Sequence, residues 1–489
     1  MEKKIYLLLP FITKEETYSS PIGDIIDGEH VPLGIYYIAS FLREHGYEVA
    51  VTDALALRLT EENIADEIKS YSPTFIGISA TTVLFPKAVF IAQMIKKKFP
   101  HIVTILGGRH VTSNMEHAMS FPDFDFGVIG EGEITALELL DALSQQKSIS
   151  EIRGIVYRDE KGALIYTGSR PLIDNLDMLP FPAFDLIPDI NVYKPPLFMH
   201  KATPLLSMMT SRGCPSKCTF CAVSLGKEYR KRSAKNIFDE IKYLIQRYHI
   251  REIGFLDDNF LLDKPRIYDL FSMIRDEGLF FHWNCMARIS SVNYEFLKFL
   301  RDNGCWSIAF GIESGDEKIL KTIKKGLSLE KATKVVNWCH ELGIITRGFF
   351  IIGHPLETVE TIDRTIQYAL SIPLDLIMTS VNTPYPGTQQ YDEAEKYGTL
   401  DKTDLAQFSQ YNPVFVPYGL TKEILLEKQK EMHIKFYFRP KIIFRLMKFY
   451  LGQGGAVRIE RLKALIMVIF LRIRTALIIT TSRKKILGM

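Results

Sequence analysis

Three cysteines within eight residues are the side chains of this chain most able to do chemistry. Cys214, Cys218 and Cys221 occur in Ser211-Arg-Gly-Cys-Pro-Ser-Lys-Cys-Thr-Phe-Cys221, with the spacing C-x3-C-x2-C. Three thiolates on one loop can hold three irons of a [4Fe-4S] cluster, which leaves the fourth iron without a protein ligand. The spacing therefore predicts chemistry at an open iron, not electron storage alone. The alternatives are a zinc knuckle or unrelated buried cysteines. A closed zinc site needs four ligands, and no further His or Cys follows at such spacing.

The cysteine motif resembles the signature of the radical S-adenosylmethionine (SAM) superfamily, which usually has an aromatic residue before the third cysteine. Phe220 stands at that place. The resemblance implies that Cys214, Cys218 and Cys221 are the metal ligands and that SAM chelates the open iron. It also implies one-electron cleavage of SAM to a 5'-deoxyadenosyl radical, with an electron donor such as flavodoxin or ferredoxin as partner. The cofactor then does the difficult chemistry, and the protein orients it and excludes water.

The pattern of residues 203 to about 400 predicts six strand–helix units. Six such units indicate an open or partial (β/α)6 barrel, in which the functional site lies at the carboxyl ends of the strands. The predicted strands are Leu205–Ser211, Glu252–Asp257, Phe281–Ala287, Ser307–Gly311, Thr346–Ile352 and Leu376–Asn382. Polar residues collect at these ends, which suits a zwitterionic cationic ligand that needs carboxylates and a guanidinium.

The family resemblance implies a role for each of these polar residues in binding SAM. Asp257 and Asp258 stand where the family meets the methionyl amine, and Arg288 is a candidate for the carboxylate. Glu313 and Ser314 match the ribose-contacting motif, and Gly353 the motif near adenine. The alternative for any one acid is a helix cap or a solvated charge.

The other three cysteines are scattered. Cys285 and Cys305 fall on predicted strands and Cys339 on an apolar helix face. A buried structural thiol is the ordinary interpretation for each. Cys285 stands near the carboxyl end of a strand, so a position lining the active site stays open for it.

Residues 1–145 alternate strands and helices in the pattern of a doubly wound parallel sheet. Its predicted strands are Lys4–Leu9, Glu48–Thr52, Thr74–Ser79, Ile102–Leu106 and Phe126–Ile129. In such sheets, ligands bind beyond the carboxyl ends of the strands. Small residues stand there, and they let the backbone approach a bulky ligand: Ser79, Gly107, Gly108 and Gly130, followed by Glu131. Simple turn residues are the alternative.

The phrases Val31-Pro-Leu-Gly34, Gly107-Gly-Arg-His110 and Gly130-Glu-Gly-Glu133 resemble the cobalamin-binding domain that precedes many radical SAM cores. The resemblance implies cobalamin as a further cofactor. The motif D-x-H-x-x-G, through which some cobalamin proteins ligate cobalt, is absent. His30 and His110 are the histidines near the ligand loops, and His110 is predicted to be a loop residue instead of a cobalt ligand.

With 489 residues the chain is too long for one hydrophobic core. We predict four parts: a cobalamin-binding-like domain at 1–145, a connector at 146–202, the radical SAM partial barrel at 203–420, and a basic helical C-terminal region at 421–489. The connector includes a hairpin around Asp159-Glu-Lys-Gly162 and a proline-rich passage. The six clustered cysteines fit a reducing cytoplasm.

The charge is unevenly distributed. Residues 435–489 contain 13 Lys and Arg against one acidic residue, a net charge of +12 in a chain whose total is +3. A predicted helix at 461–479 carries several Leu and Ile on one side. It either packs on the barrel or lies on an anionic membrane surface, on the inner face of the membrane. No apolar run reaches the roughly 18 residues of a spanning helix, and no nucleic-acid partner is expected.

The resemblance as a whole implies a cobalamin-dependent radical SAM enzyme, most often one that methylates an unactivated carbon of a small-molecule or lipid-like substrate. The alternatives are an anaerobic oxidative cyclase or another radical rearrangement on the same scaffold, and a non-catalytic iron–sulfur redox sensor. No residue is predicted to act as a general acid or base, because hydrogen-atom abstraction needs no such pair. The substrate is not encoded in any motif.

Overall fold

The computed structural model describes residues 1–11, 30–193, 195, 199–222 and 226–451. Its N-terminal part is a seven-stranded sheet in the order β2-β1-β3-β4-β5-β6-β7. The strands are β1 (Lys4–Leu9), β2 (Glu48–Asp53), β3 (Phe75–Ser79), β4 (Val103–Gly107), β5 (Phe126–Val128), β6 (Ile155–Arg158) and β7 (Leu164–Tyr166). The first five are parallel, and the last two form an antiparallel hairpin that extends the sheet beyond β5. The predicted doubly wound sheet is confirmed.

Within the described residues, six helices accompany this sheet. They are α1 (Leu33–Glu44), α2 (Glu61–Tyr71), α3 (Phe85–Lys98), α4 (Arg109–Ser113), α5 (Met115–Ala118) and α6 (Gly132–Ser144). Sequence periodicity does not predict α2, because it buries only Ile64, Ala65 and Ile68 within a mostly polar stretch. Its start is fixed locally by a capping box between Thr60 and Asn63.

The second sheet has six parallel strands in the order β15-β14-β13-β12-β11-β8. They are β8 (Leu205–Met208), β11 (Glu252–Phe255), β12 (His282–Ala287), β13 (Cys305–Glu313), β14 (Ile345–Ile352) and β15 (Leu376–Val381). The predicted open barrel of six strands is confirmed. The first strand ends at Met208 and not at Ser211, because β9 (Ser211–Arg212) turns aside to pair antiparallel with β10 (Arg230–Lys231).

Helices cover the convex side of this sheet. They are α7 (Ala234–Tyr248), α8 (Lys264–Asp276), α9 (Tyr294–Asp302), α10 (Glu317–Thr322), α11 (Leu329–Leu342), α12 (Val359–Ser371), α13 (Gln389–Asp392) and α14 (Ala394–Tyr397). On α7, Ile237, Ile241 and Leu244 are fully buried, as its apolar periodicity predicts. A small ribbon of β16 (Gly398–Leu400) and β17 (Phe415–Pro417) follows.

Two helices end the described part of the chain, α15 (Lys422–Tyr437) and α16 (Pro440–Leu451). The side chain of Thr421 caps α15 by accepting a hydrogen bond from the backbone N–H of Ile424 at 3.3 Å. The helix therefore begins at Lys422, directly after this cap. The predicted basic helix at 461–479 lies outside the described residues.

Candidate functional site

The cysteine loop is held by the β9–β10 ribbon at the carboxyl end of β8. Gly213 has φ +84°, and a Cβ on it would lie 2.0 Å from the carbonyl oxygen of Glu228, so only glycine fits beside β10. The next residue, Cys214, is buried, and its N–H donates to Gly226 O at 3.3 Å. Cys218 is partly buried and Cys221 exposed. The local strand pairing thus fixes the start of the cysteine loop.

The three thiols are close enough to influence one another. Enclosure by the surrounding protein and the charges of Asp258, Cys218 and Cys214 raise the pKa of Cys221 to about 12, against the opposing effect of Lys325. In residues 1–11, 30–193, 195, 199–222 and 226–451, no three His, Cys, Asp or Glu side chains meet around a single ion. A cubane takes one thiolate per iron and does not need them to meet at a point. Its iron would also compensate the repulsion between the thiolates, so this donor set fits the cluster.

A cationic corner adjoins the cysteine loop. Arg288 Nη1 lies 3.5 Å from Cys218 Sγ, and Arg288 Nη2 donates to the carbonyl oxygen of Lys325. Lys325 Nζ in turn contacts Glu313 Oε1 at 2.6 Å, and both side chains are more than nine-tenths buried. Glu313 has φ +70°, an uncommon conformation for a residue with a side chain. Arg288 and Glu313, which the sequence predicted for this site, thus lie together with Lys325 on one side of the thiols.

The ring of Phe220 lies between this corner and the end of β14. Lys325 Nζ is 5.9 Å from its centroid, and the His354 ring centroid is 5.6 Å away. Burial and the charge of Lys325 lower the pKa of His354 to about 3, so its imidazole is neutral at pH 7. The aromatic residue before Cys221 therefore packs against a neutral ring.

The two adjacent aspartates have different surroundings. Asp257 is 1% exposed and accepts hydrogen bonds from the backbone N–H and hydroxyl of Thr210 (3.1 and 2.7 Å) and from the Ser211 hydroxyl. Asp258 makes no hydrogen bond to any residue that the structure describes. Desolvation raises its pKa, Arg109 opposes that rise, and Asp257 adds to it. Asp258 is thus the aspartate open to a ligand, while Asp257 holds β9 in place.

Ser314 and Gly353 are already engaged by protein groups. The Ser314 hydroxyl lies 3.0 Å from Thr365 Oγ1 and accepts from the Asp316 N–H at 3.1 Å. The N–H of Gly353 donates to Glu357 Oε2, which also accepts from the His354 N–H at 3.0 Å. Burial raises the pKa of Glu357 to about 8 even though these two N–H groups oppose the shift. Ser314 is thus held through its hydroxyl and Gly353 through its backbone N–H, and their contacts with SAM stay predictions.

The predicted cobalamin loops lie at the carboxyl ends of β3, β4 and β5. A Cβ added at Gly107 or Gly130 would meet nothing within 4 Å, so the backbone at both positions borders open space. Gly108 has φ +96°, and a Cβ there would lie 2.7 Å from Ala80 O and 3.1 Å from Ser79 Oγ. Exposed backbone beside tightly packed strand ends is a cradle that fits a large, flat ligand.

The two histidines near these loops have partners within the protein. His110 is fully buried, with Nδ1 at 3.3 Å from Thr82 Oγ1 and Nε2 at 3.2 Å from His117 Nδ1. Desolvation and His117 lower its pKa to about 3. His110 thus packs inside the protein as part of the short helix α4, and not in a loop as the sequence predicted. His30 instead reaches the barrel, where its Nδ1 lies 3.1 Å from the hydroxyl of Ser207.

A buried ion network joins the loop after β5 to the cysteine loop. Its members are Glu131, Glu133, Arg212 and Arg230, and their side chains are between 4% and 7% exposed. Arg212 Nη1 contacts Glu131 Oε1 at 2.8 Å and Nη2 contacts Glu133 Oε1 at 2.5 Å, while Arg230 Nη1 contacts Glu131 Oε2 at 2.8 Å. Glu131, a predicted cofactor residue, therefore joins the two halves through its side chain, and its contact with cobalamin stays a prediction.

The remaining cysteines are buried at 0–1% exposure, in β12, in β13 and in α11. Burial raises the pKa of Cys285, of Cys305 and of Cys339 well above the ordinary value of a thiol. All three are therefore neutral thiols at physiological pH. Cys285 belongs to the hydrophobic core between sheet and helices.

Sequence reasoning missed several residues of the site. Lys325 lies on a loop without any motif, and Arg109 acts on Asp258 from the other half of the chain. Arg212 stands inside the cysteine motif, two residues before Cys214, which was the one signal available for it.

Comparisons with known protein families agree with this arrangement of two halves. The radical SAM superfamily matches residues 208–369, and the B12 binding domain matches residues 20–140. The two matched regions contain the cysteine loop and the glycine-rich strand ends, respectively.

Three relatives illustrate the similarity. An uncharacterised methyltransferase of Pyrococcus horikoshii is 36% identical over 445 residues, which cover 90% of this chain and 94% of that protein. The anaerobic magnesium-protoporphyrin IX monomethyl ester cyclase of Rubrivivax gelatinosus is 26% identical, covering 86% and 76%. The radical SAM methyltransferase TsrM from Kitasatospora setae, solved with tryptophan and a SAM analogue, superimposes with a TM-score of 0.71 at 17% identity, covering 97% and 100%.

Proposed function

This chain belongs to the cobalamin-dependent radical SAM enzymes, and on that premise we propose that it transfers a methyl group to an unactivated carbon of a small-molecule substrate. The observation that carries the proposal is the buried ion network, which fixes the cobalamin-domain loop at Glu131 against the cysteine loop at Arg212. A methyl donor on one domain and a radical source on the other must meet the same carbon, so their loops must be held in register. The name of the Pyrococcus horikoshii relative supports the same reaction.

We assign the roles of this chain's own residues as follows. Cys214, Cys218 and Cys221 would hold the cluster, and Asp258 and Arg288 stand free or partly free to orient the amine and carboxylate of SAM. Glu313, Ser314 and Gly353 would shape the ribose and adenine sides. Ser79, Gly107, Gly108 and Gly130 would line the cobalamin cradle. When bound, these groups supply a 5'-deoxyadenosyl radical and a methyl donor; the protein supplies position and a water-excluded space.

Product analysis tests the proposal. Anaerobically reconstituted enzyme, given SAM, a reductant and candidate substrates, should yield 5'-deoxyadenosine together with a product heavier by one methyl group. The similarity to the Rubrivivax gelatinosus cyclase favours ring formation as the second candidate. That activity would give a new ring without added methyl, and a redox sensor would give no 5'-deoxyadenosine at all. Ultraviolet–visible spectra of the same preparation report whether the iron–sulfur cluster and cobalamin are both present.

Two partners follow from the proposal. A flavodoxin or ferredoxin would deliver the electron that reduces the cluster.

The second partner is a membrane surface. Among the described residues, no helix has the length and apolar character that crossing a membrane requires. We propose that the segment from residue 435, with its net charge of +12, instead holds the enzyme peripherally on an anionic membrane or near a lipid-like substrate.

Vesicle co-sedimentation tests the membrane contact. Full-length protein should bind vesicles containing phosphatidylserine at low salt and release as salt rises, because screening weakens the attraction between exposed charges. A chain ending at residue 455 should bind much less. Vesicles of phosphatidylcholine alone are the matched control. Equal sedimentation of the full-length and shortened proteins, both folded, would rule out the contact.

A further inference from the structure

The concave side of the open barrel is a lumen lined by every second residue of its strands. Residues facing the helices, such as Phe310, Phe350 and Ile377, belong to the hydrophobic core. Some of the alternate residues lie outside that core and stay partly exposed, among them Met286 and Phe349. Because adjacent strand residues point to opposite faces, these side chains line the concave face of the sheet.

Arg347 lies deep in this lumen and has little to balance its charge. It is 4% exposed, and its Nη2 donates to Asn284 Oδ1 at 3.1 Å. Arg347 stands on β14 and Asn284 on β12, so this bond crosses the concave face over β13. Its Nε is buried without a partner. Within the part of the chain that the structure describes, no carboxylate comes within 4.0 Å of its guanidinium. A buried arginine without an acid is rare and costly.

Glu252 is the carboxylate whose charge acts on Arg347, but its oxygens already accept hydrogen bonds from other groups. Glu252 accepts from Asn284 and Trp306 at 3.0 and 2.9 Å, and from the backbone N–H groups of Lys201 and Ala202 at 2.5 and 2.6 Å. Burial lowers the pKa of Arg347 to about 10, although Cys285, Glu252 and Cys305 oppose the shift.

Other polar groups border the same space. Ser307 follows the inward alternation of β13, and its buried hydroxyl has no hydrogen-bond partner among the residues that the structure describes. His30 lies beside Ser207 on β8, and the charge of Arg347, after burial, is the second cause that lowers its pKa to about 4. A neutral imidazole and a free hydroxyl can each donate one hydrogen bond without adding a competing negative charge.

We propose that the lumen binds an oxyanion of the substrate, a carboxylate or a phosphate-type group, on Arg347, with the apolar part of the substrate against the lumen wall. Identifying the ligand as the substrate rests on the proposed methyl transfer. Gly353 follows Arg347 by six positions along and just beyond β14, about 20 Å at 3.3 Å per residue. The anionic group is therefore remote from the carbon that reacts, and its binding energy positions that carbon.

Calorimetric titration of the anaerobic holoenzyme with octanoate, octyl phosphate and octanol tests the site without turnover. Wild-type protein should bind one of the two anions on the order of tenfold to 100-fold more tightly than octanol. Arg347→Gln should abolish that preference, and Arg347→Lys should retain part of it. The tighter anion identifies a carboxylate or a phosphate-type group, and both outcomes support the proposal.

Arg439→Gln is the matched control. Arg439 also has its pKa lowered by desolvation, but it lies on the helical layer and donates to Phe436 O and Leu370 O. It should keep the full preference for anions. Arg347→Gln should melt no lower than wild type, because it removes an uncompensated buried charge. Equal binding of octanol and both anions by wild type, an unchanged preference in Arg347→Gln, or an equal loss in Arg439→Gln would overturn the proposal. The titration measures binding and not turnover. A negative result in the methyl-transfer assay would therefore not change what the titration says about anion binding at Arg347.

Discussion

Protein in which Cys214, Cys218 and Cys221 are all replaced by alanine should contain no cluster iron and release no 5'-deoxyadenosine from SAM. Three thiolates are the ligands that the C-x3-C-x2-C loop can offer to three irons, so their removal leaves the cluster without a protein attachment. We expect loss of the broad visible absorption of the cluster, loss of bound iron and sulfide, and background levels of 5'-deoxyadenosine by mass spectrometry.

Cys339→Ala provides the control for this variant. Its thiol is fully buried on α11 and lies in the core between helices and sheet. Removing it should lower stability modestly and leave the iron content unchanged. A full cluster in the triple variant would refute the assignment of the cluster ligands. Equal loss of iron in Cys339→Ala would show that iron content follows folding and not ligation.

Features that repeat along the chain could be predicted from the sequence. Strand β1 has the predicted bounds, Lys4–Leu9. The six strands of the barrel stand where alternating apolar runs are bounded by turns, and they pair in chain order. The cysteine motif needs only local spacing. Each of these signals lies within a few residues, and short-range periodicity or turn chemistry is enough to read it.

Contacts between distant residues could not be predicted in this way. Arg212 and Glu131 are 81 residues apart, and Arg347 and Asn284 are 63 residues apart. An isolated arginine carries no signal of what it will meet, because its partner depends on how two sheets pack. The same limit applies to Asp257 and Asp258, which are adjacent in sequence and differ through distant partners: Thr210 and Ser211 for Asp257, and Arg109 for Asp258.

Replacing Glu131 by glutamine should destabilise the folded enzyme strongly. Burial alone would raise the pKa of Glu131, but hydrogen bonds from Arg230 and Arg212 outweigh burial and lower it. The variant leaves two buried guanidinium groups with one carboxylate between them. Breaking a buried ion network in this way costs about 3–5 kcal/mol of unfolding free energy. We expect a fall in melting temperature on the order of 10 °C.

The same substitution should also uncouple the formation of 5'-deoxyadenosine from the transfer of the methyl group. Arg212 is two residues from Cys214 and contacts Glu131 and Glu133 at the start of α6 in the cobalamin domain. With that link weakened, 5'-deoxyadenosine should still form while the methylated product falls, so the ratio of product to 5'-deoxyadenosine should drop. The ratio is informative because simple loss of folded protein lowers both quantities together. An unchanged ratio in folded Glu131→Gln would show that the network has a structural role only.

A matched surface pair and the pH dependence separate this effect from general loss of charge. Arg43 and Asp185 form an ion pair at 2.7 Å with side chains 41% and 46% exposed, so Asp185→Asn should change the unfolding free energy by less than about 1 kcal/mol.

Because the folded pKa of Glu131 is depressed, its stabilising contribution is present above the unfolded pKa, about 4.3, and is lost only as pH falls through the lower folded value. The difference in melting temperature between wild type and Glu131→Gln should therefore stay constant from pH 6 to pH 8. A difference that shrinks within that range would mean that a group titrating near neutrality, and not Glu131, carries the stability.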